Sequence, residues 1–112
     1  MIDGAHVIVY SRNAEADKAF FRDTLKFGHV DVGHGWLIFK LPAAEMAVHP
    51  TDGNGSHELY LMTDDLDAEM ARLKAAGTDC SEPTTQGWGR MTRIKLPGGG
   101  EVGLYQPRHE RP

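Results

Sequence analysis

Apolar and polar residues alternate over several short stretches of this chain, a pattern typical of β-strands with one buried face. Residues 5–11 are rich in β-branched and aromatic side chains and predict a first strand. Residues 57–63 show the same character and predict its counterpart in the second half. The two stretches are the first indication that the halves of the chain resemble each other.

A predicted helix follows each of these strands. Asn13 is a suitable N-cap for a helix that runs to about Lys26, and Gly28 stops it. In the second half the Asp64–Asp65 pair supplies the cap and Gly77 the end. The spacing i, i+4, i+7 of an amphipathic helix is met by Leu66, Met70 and Leu73.

The clearest echo lies at the ends of the two halves, where residues 40–50 recur as residues 95–107 with one inserted glycine. We therefore predict an α+β fold of two tandem β-α-β-β-β modules in a single domain covering residues 1–112. Module 1 covers about residues 4–50, the linker residues 51–55, and module 2 about residues 56–108. Two units are too few for a solenoid, so we expect the sheets to curl openly around a shared space.

Successive side chains of a strand point to opposite faces, which sorts the residues of each predicted strand into two sets. One set is aliphatic, as in the pairs Val7 with Val9 and Val102 with Leu104, and should pack beneath the helices. The other set mixes polar, aromatic and small residues, as expected for the wall of a pocket. It includes His6, Tyr10, Glu45, Ala47, His49, Glu58, Tyr60, Met62, Glu101, Gly103 and Tyr105.

Composition narrows the classes of partner. The formal net charge of −4 argues against nucleic acid or an anionic membrane as the main partner. The single cysteine, Cys80, excludes an intramolecular disulfide and is typical of a reducing compartment. No signal peptide and no apolar run of about 20 residues is evident, so we expect a cytoplasmic protein.

Several features together resemble the vicinal oxygen chelate superfamily, which includes glyoxalase I, extradiol dioxygenases, and bleomycin and fosfomycin resistance proteins. They are the repeated module, the junction at residues 64–68, Phe20 with Phe21, and the stretch from Gly87–Trp88–Gly89–Arg90 to Leu96–Pro97–Gly98–Gly99. The resemblance implies paired modules that form an open barrel. It also implies that a divalent metal is often held by the first and last strands of each module.

Matching these positions one by one implies a metal set of His6, His49 and Glu58. Two imidazoles and a carboxylate suit Fe, Ni, Zn or Mn. The last ligand position, usually Glu in metal-binding members, falls on Gly103, which departs from the family pattern. Glu101 is the candidate catalytic base. The alternative is that His6 and Glu58 simply line a pocket wall.

Two functions follow from this site. One is a metal-dependent lyase, isomerase or dioxygenase acting on a small substrate with vicinal oxygens. The other is a metal-free protein that binds a small aromatic or antibiotic-like molecule. Either would use a substrate pocket lined by Tyr10, Trp36, Tyr60, Met62, Trp88 and Tyr105. Exposed sheet edges predict a homodimer, and His109 in the charged tail is expected at the surface.

Overall fold

The computed structural model describes residues 6–45, 47, 52 and 56–111. Helix α1 (Ala14–Ala19) continues as a π-helix (Phe20–Thr24), and helix α2 covers Leu66–Ala75. The strands are β1 (His29–Asp31), β2 (Leu37–Phe39), β3 (Tyr60–Met62), β4 (Thr84–Gln86), β5 (Gly89–Lys95) and β6 (Glu101–Pro107). The predicted α+β fold class is confirmed. Within these ranges no helix is long and apolar enough to cross a bilayer.

The second half forms a four-stranded sheet in the order β3-β6-β5-β4. Strands β3 and β6 are parallel, with Tyr60 opposite Gly103, and the other pairs are antiparallel. Helix α2 follows β3 in the chain, so the unit reads β-α-β-β-β as the repeat predicted. Because the first and last strands are neighbours, residues 60 and 103 lie side by side although 43 positions separate them in sequence.

The first half contains an antiparallel hairpin of β1 and β2, with His29 opposite Phe39. The prediction of a first strand is wrong for residues 6–11, which form no strand. Val7 and Val9 are 49% and 38% exposed, so the prediction that they pack beneath the helices is also wrong. A strand needs a hydrogen-bonding neighbour, and none of the described segments of the same chain pairs with this one.

The hydrophobic core lies on the helix side of the large sheet. Val102 and Leu104 are 3% exposed, and Leu59 and Leu61 pack against the same cluster, so the predicted aliphatic faces of β3 and β6 are confirmed. The fully enclosed residues of this cluster are Phe20, Phe21, Leu66, Leu73, Ile94, Leu96, Val102 and Leu104. Burial of this surface is the main favourable contribution to the stability of the sheet.

The helix caps are those that the sequence predicts. The side chain of Asn13 accepts a hydrogen bond from the Ala16 N–H at 3.2 Å, and Asp65 accepts one from the Ala68 N–H at 3.1 Å. Helix α2 is tied to the sheet by the Leu66 N–H, which donates to the Gln106 Oε1 at 2.9 Å. The last contact fixes helix α2 on one face of β6, and the opposite face of the strand is not covered by this helix.

One hydrogen bond joins the helix of the first half to the last turn of the second. The buried carboxylate of Asp17 accepts from the Gly98 N–H at 2.7 Å. A Cβ at position 98 would lie 2.9 Å from both carboxylate oxygens and would overlap the hydroxyl of Ser11. Glycine is therefore required at this point because the turn approaches the helix so closely.

Candidate functional site

The face of the large sheet opposite the helices carries a mixed set of residues in aligned rows. Gly103 pairs with Tyr60 on one side and with Arg93 on the other. Two residues further along β6, Tyr105 pairs with Met62 of β3 and with Met91 of β5. Directly paired residues project to the same face of a sheet, so the predicted mixed face of β3 and β6 is confirmed.

Three rings on this face contact one another, and we call Tyr60, Trp88 and Tyr105 the aromatic cluster. The Trp88 and Tyr105 centroids are 5.1 Å apart, those of Tyr60 and Tyr105 5.8 Å, and those of Tyr60 and Trp88 6.4 Å. All three pairs are edge-to-face, with interplanar angles of 82° to 87°. This is a favoured aromatic geometry, worth about 0.5–1.5 kcal/mol per pair beyond buried area.

Trp88 lies in the turn between β4 and β5, and backbone contacts with the end of β6 position it. The Arg108 N–H donates to the Trp88 carbonyl at 2.9 Å. A Cβ at Gly89 would overlap the carbonyl oxygen of Gln106, so only glycine lets β5 approach β6 this closely. The indole is thereby fixed at the end of the sheet, and it is 38% exposed.

The missing side chain at Gly103 creates the space for the Tyr60 ring. A Cβ at this position would lie 2.5 Å from Tyr60 Cε1 and 3.0 Å from its Cγ, and closer still to Cδ1. A carboxylate at residue 103 would need the volume that the ring fills. The residues present therefore do not fit a four-ligand metal site, because an aromatic ring stands where the resemblance implies the fourth ligand.

A polar group of two residues borders the Tyr60 side of the cluster. The Tyr60 hydroxyl donates to the Glu58 Oε2 at 2.8 Å and accepts from the Arg93 Nη2 at 3.2 Å. The Arg93 guanidinium carbon lies 5.6 Å from the Tyr60 ring centroid, a cation–π distance. The Arg93 Nη2 is also 3.7 Å from the Glu58 Oε2.

His109 borders the Tyr105 side. The Tyr105 hydroxyl lies 3.2 Å from the His109 Nε2, while the His109 Nδ1 lies 2.9 Å from the Glu110 carbonyl oxygen. A carbonyl only accepts, so in the neutral ring Nδ1 carries the proton and the tyrosine hydroxyl donates to Nε2. His109 is exposed as predicted, but its contact with the cluster was not predicted.

The two tyrosines keep their protons at neutral pH. Burial, followed by the hydrogen bond to Glu58, raises the pKa of Tyr60 above its usual 10.0. Burial, followed by the charge of Glu45, raises the pKa of Tyr105 in the same direction. Both phenols are therefore neutral hydrogen-bonding groups. Burial and the charge of Asp79 likewise raise the pKa of Cys80.

Of the other predicted pocket residues, Met62 alone is paired with a residue of the cluster. Tyr10 is 89% exposed and Trp36 68% exposed, both in the first half. Met62 is half-buried opposite Tyr105, and Glu101 is exposed opposite Lys95 at the far end of β6. The roles of Tyr10 and Trp36 in the pocket, and of Glu101 as a base, stay predictions.

The metal set can be followed only in part. His6 is exposed, Glu58 borders the aromatic cluster, and His49 lies outside the described residues. In the ranges that the structure describes, no three His, Cys, Asp or Glu side chains stand close enough to hold a metal ion. The set of His6, His49 and Glu58 stays a prediction.

A separate cleft of about 210 Å³ opens on the helix side of the sheet. Most of its wall is apolar, and it includes the core residues Leu73, Ile94 and Leu104. Ile94 and Leu104 project away from the aromatic cluster, because they occupy the opposite parity of β5 and β6, and Leu73 lies on helix α2. We therefore take the cluster and its polar border as the candidate site.

Comparison with known proteins gave structural relatives. No protein-family model and no curated protein sequence matches the chain. The antibiotic binding protein TnmS3 from Streptomyces sp. CB03234 is 32% identical, with a TM-score of 0.65 over 96% of this chain and 99% of that one. A glyoxalase/bleomycin resistance protein from the same strain is also 32% identical, with a TM-score of 0.61 over 88% and 95%. Lactoylglutathione lyase from Agrobacterium tumefaciens, 18% identical with a TM-score of 0.66 over 92% of each chain, shares the fold.

The space above Gly103 generates a test of the site's architecture. Alanine normally stabilises a strand relative to glycine, but Gly103→Ala should destabilise this protein by about 1–3 kcal/mol, because the methyl group displaces the Tyr60 ring. In the Tyr60→Ala background the same change should cost much less, giving a coupling of about 1 kcal/mol in urea unfolding. Gly87→Ala, where a Cβ meets no atom within 4 Å, is the control. Equal costs in both backgrounds would contradict the packing described.

Proposed function

This chain belongs to the glyoxalase/bleomycin resistance, or vicinal oxygen chelate, superfamily, and we propose that within this family it is a metal-free binding protein for a small aromatic molecule. The observation that carries the proposal is the Tyr60 ring lying over Gly103, in edge-to-face contact with Trp88 and Tyr105. The sheet face thus offers aromatic surface at a position that metal-binding members of the family give to a carboxylate.

The chemistry of the aromatic cluster suits this class of ligand. Small-molecule sites are mostly apolar, with a few polar groups that fix orientation. Here the exposed part of Trp88 gives surface for stacking, and the protonated phenols of Tyr60 and Tyr105 give hydrogen-bonding groups at the border. The relative described as an antibiotic binding protein supports the same class of function.

Removal of the indole tests this function. Trp88→Ala should weaken binding of an aromatic ligand, found by a thermal-shift screen of aromatic compounds, by about tenfold or more, because a central aromatic contact is lost. Trp88→Phe should retain most of the affinity, since it keeps a ring. Lys74→Ala, exposed on helix α2 across the sheet, is the control. Ligands that stabilise wild type and Trp88→Ala equally would sink the proposal.

The alternative is a metal-dependent lyase, isomerase or dioxygenase that uses His6, His49 and Glu58. What speaks for it is the resemblance of these positions to the family's ligand positions. What speaks against it is the absence of a side chain at Gly103, where the Tyr60 ring fills the space of a ligand.

Metal analysis separates the two functions. We expect wild-type protein offered Fe, Ni, Zn or Mn to retain less than stoichiometric metal after gel filtration, and Glu58→Ala to behave identically, because residue 103 provides no ligand side chain. The measurement is elemental analysis per chain. One metal ion per wild-type chain, lost in both His6→Ala and Glu58→Ala, would instead establish the metal site.

We also propose that the protein is a homodimer. Among the described residues, the large apolar side chains that are exposed fall almost entirely in the first half. They are Val7, Ile8, Val9, Tyr10, Val30, Val32 and Trp36, with Trp88 alone in the second half. Exposed apolar surface of this extent is typical of a protein–protein interface, and strand β3 also has an edge free of partners in the described sheet. A second copy of the chain would cover this surface and wall in the aromatic cluster.

A charge in this apolar surface should break the dimer. Ile8 is 64% exposed in one chain, so Ile8→Asp should leave the fold intact while costing several kcal/mol of association, since the carboxylate would be buried unpaired. Multi-angle light scattering should give twice the chain mass for wild type and one chain mass for Ile8→Asp. Lys74→Asp, which places the same charge on exposed helix surface, should remain dimeric. A wild-type monomer at all concentrations would contradict the dimer.

A further inference from the structure

We propose that Arg93 makes this site selective for aromatic ligands that carry an anionic oxygen, such as a carboxylate, sulfonate or phenolate. The inference rests on the proposed binding function and deepens it by naming the ligand class. It depends on the arrangement of Arg93, Tyr60 and Glu58 at the border of the aromatic cluster.

Arg93 is positioned beside the cluster by strand β5 and by its contact with Tyr60. It lies in the middle of the seven-residue strand β5, paired with Gly103 of β6. Its Nη2 donates to the Tyr60 hydroxyl at 3.2 Å, and its guanidinium carbon is 5.6 Å from the ring centroid. Of its five N–H groups, the described residues give an acceptor to this one alone. The side chain is 41% exposed, so the remaining donors are accessible from the ligand side.

Glu58 already places an anionic oxygen in this position. Its Oε2 accepts from the Tyr60 hydroxyl at 2.8 Å and lies 3.7 Å from the Arg93 Nη2. An oxygen at that point accepts a hydrogen bond from Tyr60 and lies within ion-pair distance of the Arg93 guanidinium, so both groups favour a negative charge there. The Glu58 carboxylate therefore stands in for the anionic group of a ligand.

The side chain of Glu58, rather than that of Arg93, can move away from the Tyr60 hydroxyl. Glu58 is 62% exposed and precedes β3 in a segment without regular structure, so its side chain can rotate into water. Arg93 sits in the sheet and has its Nη2 bound to Tyr60. A ligand anion thus displaces Glu58 and inherits its donors, whereas a ligand amine would have to bind beside a fixed guanidinium that repels it.

The other charged residues on this face do not decide whether the site prefers an anionic or a cationic ligand. Lys95 is directly opposite Glu101 across β5 and β6, so these two charges offset each other at the end of the sheet. His109 borders the far side of the cluster, on Tyr105. The charges of Glu45 and Arg111 act there in opposite directions on the pKa of Tyr105. Arg93 is the cation hydrogen-bonded to the cluster itself, and selectivity should depend on it rather than on the overall charge, which is −4.

A matched pair of fluorescent probes tests the inference. The anionic probe is 8-anilinonaphthalene-1-sulfonate, and N-phenyl-1-naphthylamine has the same aromatic frame without the sulfonate. The readout is the ratio of their dissociation constants, which cancels changes in stacking common to both. Arg93→Gln should shift this ratio against the anion by about tenfold or more. Glu58→Gln, which keeps an acceptor for Tyr60 but removes the competing charge, should shift the ratio in favour of the anion.

Lys95→Gln is the charge-matched control, since it removes one positive charge from the same strand two positions along. An equal shift of the ratio in Lys95→Gln and Arg93→Gln would overturn the proposal, because the effect would then follow net charge. An unchanged ratio in Arg93→Gln, with both probes bound, would overturn it while leaving the aromatic binding function intact. Failure of wild type to bind either probe would instead overturn the binding function.

Discussion

The packing of the Tyr60 ring over Gly103 is the contact on which the rest of the candidate site depends. It places the ring edge-to-face with Tyr105 and Trp88 at the same time, which a ring standing upright from the sheet would not achieve. It also brings the phenol hydroxyl between Glu58 and Arg93. One absent side chain thus determines an aromatic surface and its polar border together.

The two faces of the large sheet are coupled through the same strands. Strand β6 contributes Val102 and Leu104 to the core and Gly103 and Tyr105 to the site, in strict alternation. A slip of one residue in its register would exchange the two sets, burying the tyrosine and exposing the aliphatic residues. The hydrophobic core on the helix side of the sheet therefore stabilises the geometry of the site on the opposite face.

The sequence was sufficient to predict features that depend on residues close to one another in the chain. Helix caps at Asn13 and Asp65 follow from side chains that reach the next turn. The faces of β3 and β6 follow from parity alone. Pocket residues Tyr60, Trp88 and Tyr105 come together because they lie on, or next to, strands that this parity sorted correctly.

Features that depend on pairing between distant segments could not be predicted from the sequence. The role of Arg93 requires the register of β5 against β6, which the turn at residues 96–100 sets and which no pattern in β5 reveals. The tail that carries His109 folds back so that Arg111 lies 3.4 Å from Asp64, a contact between residues far apart in sequence, and His109 contacts Tyr105 from within this tail. Residues 6–11 have the composition of a strand, yet a strand is a property of two segments, and composition describes only one.

The two halves of the repeat differ in a way that would link the proposed binding to the proposed dimer. The second half completes its own sheet and carries the aromatic cluster, whereas the described part of the first half leaves large apolar residues such as Ile8, Tyr10 and Trp36 exposed. A single sheet face buries at most one side of a planar ligand, and small-molecule sites usually enclose most of the ligand surface. The proposed second copy of the chain would supply the missing wall from its first half. In that arrangement, reciprocity requires that a ligand strengthens the dimer by the same factor by which dimerisation strengthens ligand binding. The exposed strand-like segment and the aromatic cluster are then two parts of one equilibrium.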